Sequence, residues 1–185
     1  MGTASCGPTL NVAMWFLASS SRTACWPKPR VATNWLRPGA HGLTTDVCVP
    51  ISRLTECIAQ TKADLVAASI PVVLLGHVGD GNFHLAFIVR RDDPAELAEA
   101  QRFADRLVER ALRLGGTCTG EHGVGVGKVK FMEREHGAAV DTMRQIKAAL
   151  DPQNLMNPGK VIPARASEAS EGAAPTPARE SASHA

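Results

Sequence analysis

The pair Asp80-Gly81 separates two apolar runs, IPVVLLGHV and NFHLAFIVR, and this feature most restricts how the chain can fold. Asp-Gly between apolar runs is among the strongest signals for a β-hairpin with a two-residue type I′ turn. In that register His77 lies opposite His84 on one face of the sheet, with their Cβ atoms roughly 4.5–5.5 Å apart. Two imidazoles at that spacing can converge on one metal ion. The alternative is a pair of core histidines that hydrogen-bond to the backbone or to each other.

The apolar periodicity of the chain, together with its helix-capping and turn residues, predicts the order strand, helix, strand, strand, helix, strand. The first strand is GLTTDVCVP, and the first helix, PISRLTECIAQTKADLVAAS, starts at Pro50. The second helix, DDPAELAEAQRFADRLVERALRLGG, begins with Asp93 as N-cap and Glu96 as the partner in a capping box, and TCT follows as the fourth strand. This order predicts an α+β fold with a ferredoxin-like antiparallel sheet (βαββαβ). Additional C-terminal helices are expected over residues 127–136 and 138–150.

Composition divides the chain into three parts. Residues 1–35 are interpreted as an irregular leader and residues 36–162 as the folded domain. Residues 163–185 are rich in Ala, Ser, Pro and Glu without apolar periodicity, so they are expected to be a disordered tail. The first 45 residues contain no Asp or Glu, a composition that is also typical of a mitochondrial transit peptide.

The charge pattern and the cysteines exclude several classes of protein. The net charge is +2 and no block of Lys and Arg is interleaved with aromatic residues, so nucleic acid is not an expected partner. No apolar run approaches the roughly 20 residues of a transmembrane helix. The five cysteines include no C-x-x-C pair, which favours reduced thiols in a reducing compartment. We expect a bacterial cytoplasmic protein, with peripheral attachment to the membrane or a mitochondrial matrix location as alternatives.

A second cluster of metal-ligand residue types, Glu121 and His122, lies in TGEHGVGVGK, where the fourth strand should end. The two hairpin histidines and one carboxylate would make a three-ligand site with a position left for water or substrate. Neighbouring residues of an extended chain point to opposite sides, so Glu121 and His122 are expected to have different roles. An equally weighted alternative is a helix N-cap ahead of GKVKFMERE. A phosphate-binding loop is excluded because Val129, rather than Ser or Thr, follows Lys128.

Three motifs in this order, GHVGDGNFH, TGEHGVGVGK and DPQNLMNPGK, resemble the C-terminal half of FAD-linked oxidases, which are vanillyl-alcohol-oxidase-like flavoproteins. Within that family, LRPGAHGLTTDVCVPISRL resembles the cytochrome-linked D-lactate dehydrogenases in particular. The similarity runs from Leu36 to Val161.

The resemblance implies a divalent metal, zinc or manganese, held by His77, His84 and Glu121, and a catalytic base at His122. Members of the family oxidise a D-2-hydroxy acid to the 2-keto acid, and the metal binds the hydroxyl and carboxylate oxygens of the substrate. The base takes the hydroxyl proton while a hydride passes to FAD. Asn157 matches a region that lies near the flavin in relatives.

The resemblance also bears on the substrate and on what the chain lacks. Ala86 stands where the hydroxyglutarate enzymes have a polar residue, which favours a smaller substrate such as lactate. No counterpart of the family's flavin-binding domain is expected in these 185 residues, so FAD would be bound either by a domain missing from this sequence or by a separate FAD-binding polypeptide, and the electron acceptor is not assigned. Two alternative functions stay open: a truncated, non-catalytic metal-binding or assembly module of the same family, and a metallohydrolase whose metal activates water.

Overall fold

The computed structural model of the chain describes residues 12–17 and 37–164. Its strands are β1 (Val12–Leu17), β2 (His41–Cys48), β3 (Val72–His77) and β4 (Asn82–Val89). Its α-helices are α1 (Ile51–Leu65), α2 (Pro94–Arg113), α3 (Met132–His136) and α4 (Ala139–Leu150), and short 3-10 turns lie at Val78–Asp80 and Val129–Phe131.

The strands form one sheet in the order β1-β3-β4-β2. Strand β4 pairs antiparallel with both β2 and β3, and β1 runs parallel to β3. The three antiparallel strands have the neighbours that a ferredoxin-like pattern requires. The predicted α+β class is therefore confirmed, and helices follow in the C-terminal part as expected.

The hairpin between β3 and β4 differs from the predicted two-residue turn. Residues 78–80 form a 3-10 turn and Gly81 takes the left-handed conformation, with φ 72°. His77 consequently pairs with Asn82, and His84 pairs with Leu75. The register is shifted by two residues, and an even shift leaves side chains on their original face. The two histidines are thus diagonal neighbours on one face instead of direct partners.

Both edges of the sheet also differ from the prediction. The segment TCT contributes one antiparallel bridge, between Thr117 and Cys48, instead of a fourth strand. Beyond this bridge the backbone amides donate to side-chain carboxylates instead of to a neighbouring strand. Cys118 N donates to Glu135 at 2.7 Å, and Gly120 N donates to Asp46 at 2.6 Å. At the other edge, residues 12–17 form β1 within the stretch interpreted as an irregular leader. Their sequence, VAMWFL, combines β-branched and aromatic residues that favour a strand.

The helices α1 and α2 cover one face of the sheet and form the core with it. Strand β4 contributes Phe83, Leu85 and Phe87 to this core, and all three are fully buried. The helices contribute mostly apolar residues, which are Leu54, Cys57, Leu65, Phe103, Leu107, Val108 and Ala111. Because side chains alternate along a strand, His84 and Ala86 lie on the opposite face. The core therefore presents the histidines on the side away from the helices.

Polar contacts fix the start of α2 and its packing on α1. The predicted N-cap Asp93 accepts hydrogen bonds from the amides of Ala95 and Glu96. Glu96 does not complete a capping box, because its carboxylate accepts from the Arg37 guanidinium and from Arg90 N. A bidentate, charge-assisted arginine pair is stronger than a bond to a single amide. Across the helices, Asp64 of α1 accepts hydrogen bonds from two arginines of α2.

The remaining expectations concern the termini, the thiols and the membrane. Residues 165–185 of the expected tail and most of the expected leader lie outside the described residues. Cys48, Cys57 and Cys118 are free thiols. None of the helices formed by the described residues is both long and apolar enough to cross a membrane.

Candidate metal centre

The hairpin brings His77 and His84 together at the end of β3 and in the adjoining part of β4. Their ring centroids are 5.7 Å apart and the rings are nearly perpendicular, at 89°. Diagonal partners across two strands remain within reach of side chains of this length. The structure therefore keeps the predicted pair together, although the register that achieves this is different.

Glu121 lies at the centre of the cluster. Its Oε1 is 3.2 Å from His84 Nε2, 3.6 Å from His77 Nε2 and 3.8 Å from His122 Nε2. One ligand atom from each of His77, His84 and Glu121 can be chosen so that all lie within 4.8 Å of one another. Ligand atoms at ~2.0–2.2 Å from a tetrahedral zinc ion are roughly 3.3–3.6 Å apart. The distances from Glu121 Oε1 to His84 Nε2 and His77 Nε2, 3.2 and 3.6 Å, are close to this spacing, so the donor set is compatible with a small divalent cation.

His84 is the buried member of this cluster. Burial lowers the pKa of His84 below its ordinary value, and the neighbouring His122 lowers it further. Both effects favour the neutral imidazole, which is the form that binds metals. Glu121 and His122 are about half exposed, at 51% and 46%, so the cluster is open to solvent on one side.

His122 stands close to the same centre, contrary to the prediction for an extended chain. Its ring stacks on that of His84, with centroids 5.0 Å apart and an interplanar angle of 20°. Residues 120–122 form a bend instead of a strand, so the alternation of sides does not apply to them. Glu121 and His122 consequently face the same cluster, while their separate chemical roles stay a prediction.

Asp46 is the residue that the sequence reasoning missed. It lies on β2 directly across from His84, and its side chain is fully buried. Its Oδ2 accepts from the amides of Gly120 at 2.6 Å, Glu121 at 2.6 Å and His122 at 3.2 Å. The Lys128 ammonium donates to Oδ1 and also to the main-chain oxygen of Asp46.

These contacts keep the Asp46 carboxylate ionised. Burial alone would raise the pKa of Asp46, but the hydrogen bond from Lys128 and those from the amides of Glu121 and His122 outweigh it. Together they lower the pKa to about 2. The only sequence signal was an acidic residue inside an otherwise apolar and β-branched strand, where Asp is disfavoured.

Asn157 is not part of this cluster. It lies in the exposed loop after α4, with φ 48°, and its Oδ1 is 3.3 Å from Lys160 Nζ. The loop and α4 enclose an open cleft of about 410 Å³, whose lining includes Arg144, Lys147 and Asn157. Val161 N donates to Gly125 O at 2.8 Å, which ties this loop to the segment after the Glu121–His122 turn.

The chain matches one family model and several curated proteins. Residues 18–161 match the family described as FAD linked oxidases, C-terminal domain. A "Probable D-lactate dehydrogenase, mitochondrial" from Danio rerio is 52% identical over 152 residues, which are 80% of this chain and 31% of that protein. A "D-lactate dehydrogenase [cytochrome], mitochondrial" from Arabidopsis thaliana is 41% identical over 157 residues, or 84% of this chain and 26% of the relative.

A third relative, "D-lactate dehydrogenase [cytochrome] 1, mitochondrial" from Saccharomyces cerevisiae, is 44% identical over 153 residues, which are 82% of this chain and 24% of the relative. The chain thus spans less than a third of the length of the curated relatives it matches here. The family match covers most of the chain and includes both the hairpin and the Glu121–His122 turn. The chain therefore belongs to the family of FAD-linked oxidases, of which it contains the C-terminal domain.

Proposed function

We propose that this chain is the substrate- and metal-binding part of an FAD-dependent D-2-hydroxy-acid dehydrogenase of the D-lactate type. The observation that carries the proposal is the convergence of three imidazole Nε2 atoms on Glu121 Oε1, at 3.2–3.8 Å. The printed names of the three relatives, all D-lactate dehydrogenases, support the same substrate class.

His77, His84 and Glu121 are the residues that would hold the metal. The chemistry of the donors supports zinc or manganese, because neutral imidazole and carboxylate suit both ions. A bound divalent ion would polarise the hydroxyl and carboxylate oxygens of the hydroxy acid and lower the pKa of the hydroxyl. The chain itself supplies an open side to the cluster, through which the substrate enters.

His122 is the proposed catalytic base. Its Nε2 lies 3.8 Å from Glu121 Oε1, beside the donors that would hold the substrate oxygens. It is 46% exposed and can accept the hydroxyl proton at that nitrogen. Bound FAD would supply the acceptor for the hydride that leaves the α-carbon.

Ala86 is proposed to limit the size of the substrate. It lies two residues from His84 on the same strand face and pairs with Thr44 and Val73 on the neighbouring strands. A methyl side chain at this position offers no hydrogen bond to a second carboxylate. This supports a small, apolar substituent on the hydroxy acid, as in lactate.

Asn157 is the proposed contact with FAD. Its side chain is exposed at the edge of the cleft beside α4, so the amide group is available to a ligand. The greater part of the flavin site would lie in a region of the relatives that these 185 residues do not span, and the electron acceptor is not assigned. The word "mitochondrial" in the names of the three relatives supports the mitochondrial alternative over the bacterial cytoplasm.

The chain tests the proposal when it is purified, loaded with zinc or manganese, and combined with the FAD-loaded flavin-binding region of a D-lactate dehydrogenase relative, since the chain spans less than a third of those relatives. We expect flavin absorbance and dye reduction that depends on D-lactate, and His122→Asn should lower kcat by at least ~100-fold, as expected for loss of a general base. His136→Asn is the matched control, because His136 lies in α3 and contacts Glu135 instead of the cluster.

Other outcomes would favour the alternatives. Metal uptake without turnover, although the FAD-loaded region is present, supports a non-catalytic module of the same family. Hydrolysis of esters or amides that is lost on chelation supports a metallohydrolase.

A further inference from the structure

We propose that Asp46 is the positioning residue of this centre: its buried carboxylate holds the turn that carries Glu121 and His122, and it does not itself bind the metal. This inference rests on the proposed metal site and adds a residue to it. The turn and the strand that it joins are 74 to 76 residues apart in the chain.

The hydrogen-bonding capacity of Asp46 is already used. Oδ2 accepts from three successive amides, those of Gly120, Glu121 and His122, and Oδ1 accepts from Lys128. Each carboxylate oxygen has two lone pairs, so the three amides use all of Oδ2, and Oδ1 has Thr119 Oγ1 at 3.4 Å in addition to the Lys128 ammonium. No lone pair remains for a metal ion while the turn is in place.

The charges around Asp46 lead to the same conclusion. One ligand atom each from Asp46, His84 and His122 can also be chosen within 4.8 Å of one another, so these residues form a second conceivable donor set. The Lys128 side chain, however, is only 13% exposed, and its ammonium group lies against the Asp46 carboxylate. A divalent cation at this carboxylate would be repelled by the ammonium, and the repulsion is strong in a buried position. The set that includes Glu121 is the better cation site.

The location of Asp46 explains why its hydrogen bonds to the turn position the proposed metal ligands. The turn has glycines at both sides of Glu121–His122, so its backbone has many alternative conformations when it is not held. Asp46 lies directly across from His84 in the sheet. The Asp46 carboxylate therefore connects the half-exposed Glu121 and His122 to strands β2 and β4, and β4 carries the buried His84.

The turn also lies against the hairpin, where Gly120 approaches the amide group of the Asn82 side chain. A Cβ added to Gly120 would lie 2.4 Å from Asn82 Nδ2. Asn82 is buried at the start of β4. The turn is thus seated against the hairpin as well as bonded to β2.

The test compares the wild-type chain with Asp46→Asn, after both have been stripped of metal. The asparagine has the same shape, but its –NH₂ group cannot accept hydrogen bonds and the negative charge is lost. We expect zinc affinity, measured by competition with a chromophoric chelator, to fall by about 10–100-fold, as is typical when a partner behind a ligand is removed. The visible spectrum of the Co²⁺-loaded variant should keep the wild-type band positions, because the ligands are unchanged.

Two reference variants provide the limits against which the zinc affinity of Asp46→Asn is compared. Asp64→Asn removes a carboxylate that binds arginines between α1 and α2, so it disturbs the fold away from the centre and should leave zinc affinity unchanged. His84→Ala removes a proposed ligand and should abolish binding. Unchanged affinity in Asp46→Asn would overturn the proposal. Loss of binding as complete as that in His84→Ala, or Co²⁺ bands shifted from their wild-type positions, would also overturn it, since Asp46 would then be a ligand.

Amide hydrogen exchange provides a readout that does not depend on metal or on the variant. In the metal-free wild-type chain, the amides of Gly120, Glu121 and His122 should exchange slowly despite their position in a surface turn, because Asp46 accepts from all three. Fast exchange at these amides beside slow exchange in β4 would overturn the proposal even if Asp46→Asn fails to fold. A wild-type chain that takes up no zinc would contradict the proposed function, while the exchange measurement still decides whether Asp46 holds the turn.

Discussion

At the scale of single residues, the carboxylate of Asp46 links strand β2 to the turn that carries Glu121 and His122. Of the five site residues chosen from the sequence, four lie together, which are His77, His84, Glu121 and His122, while Asn157 lies apart from them. Asp46 could not be chosen in the same way, because its partner Lys128 is 82 residues further along the chain. Local patterns predict which residue types suit a metal, but not which distant cation and amides satisfy a buried acid.

The free energy of unfolding should fall at acidic pH, over a pH range determined by the ionisation of Asp46. The pKa of Asp46 is about 2 in the folded chain and roughly 3.9 in an unfolded one. Because the folded value is the lower of the two, the ionised group stabilises the fold above pH ~4, and this contribution is lost as the pH falls toward about 2. The difference corresponds to on the order of 2 kcal/mol in the free energy of unfolding.

Urea unfolding of the metal-free chain at pH 5, 4 and 3 measures this effect. The pKa values of Glu96 and Asp151 are also lowered, by Arg37 and by Lys147, so some loss in acid remains without Asp46. The informative quantity is therefore the difference from Asp46→Asn, whose stability should vary less over the same range. Equal slopes for the two proteins would contradict the account.

At the scale of structural elements, the hairpin between β3 and β4 depends on Gly81. Gly81 has φ 72°, and a Cβ added to it would lie 2.1 Å from Val49 O. We expect Gly81→Ala to lower the free energy of unfolding by at least ~2 kcal/mol, since the left-handed conformation alone costs about 1–2 kcal/mol. Gly79→Ala is the control in the same turn, because nothing lies within 4 Å of its added Cβ.

Chemical denaturation of the two variants provides the measurement. Gly79→Ala should remain within about 0.5 kcal/mol of the wild type, as exposed substitutions generally do. Similar losses in both variants would show that the turn is not held as described.

The Asp80-Gly81 signal predicted where the hairpin turns but not how many residues the turn contains. A two-residue type I′ turn requires positive φ at both central residues. Here the 3-10 turn over residues 78–80 leaves Gly81 as the one residue of the connection with positive φ. Turn type depends on contacts such as that between Val49 N and Gly81 O, which join the turn to a different part of the chain. The histidines stayed on one face only because the shift in register was even.

The capping of α2 shows the same limit for helices. Asp93 was correctly predicted as the N-cap, because its contacts are with residues two and three positions ahead. Glu96 forms its strongest contacts with Arg37, which is 59 residues away. Local chemistry determines that the helix starts there, while distant charges determine which partners its side chains take.

At the scale of the whole molecule, exposed apolar residues are concentrated in one region of the described surface. Four large apolar side chains lie in and just after α4 with more than half of their surface exposed: Ile146, Leu150, Leu155 and Met156. Such a concentration favours contact with another surface. We expect the isolated chain to self-associate with increasing concentration, as measured by sedimentation velocity.

Substitution should separate this region from the rest of the surface. The double variant Leu150→Gln and Leu155→Gln should weaken self-association. Val66→Gln, which removes an equally exposed apolar residue at the end of α1, should leave it unchanged. A wild-type chain that stays monomeric at all concentrations would contradict the expectation.

The central claim is that the hairpin histidines and Glu121 hold one cation, and metal content tests it most directly. The wild-type chain, saturated with zinc or manganese and then desalted, should retain about one ion per molecule. His77→Ala, His84→Ala and Glu121→Gln should lose it, while His136→Ala should keep it, since His136 lies outside the cluster. Equal metal content in all five proteins, or no retained metal in the wild type, would contradict the account.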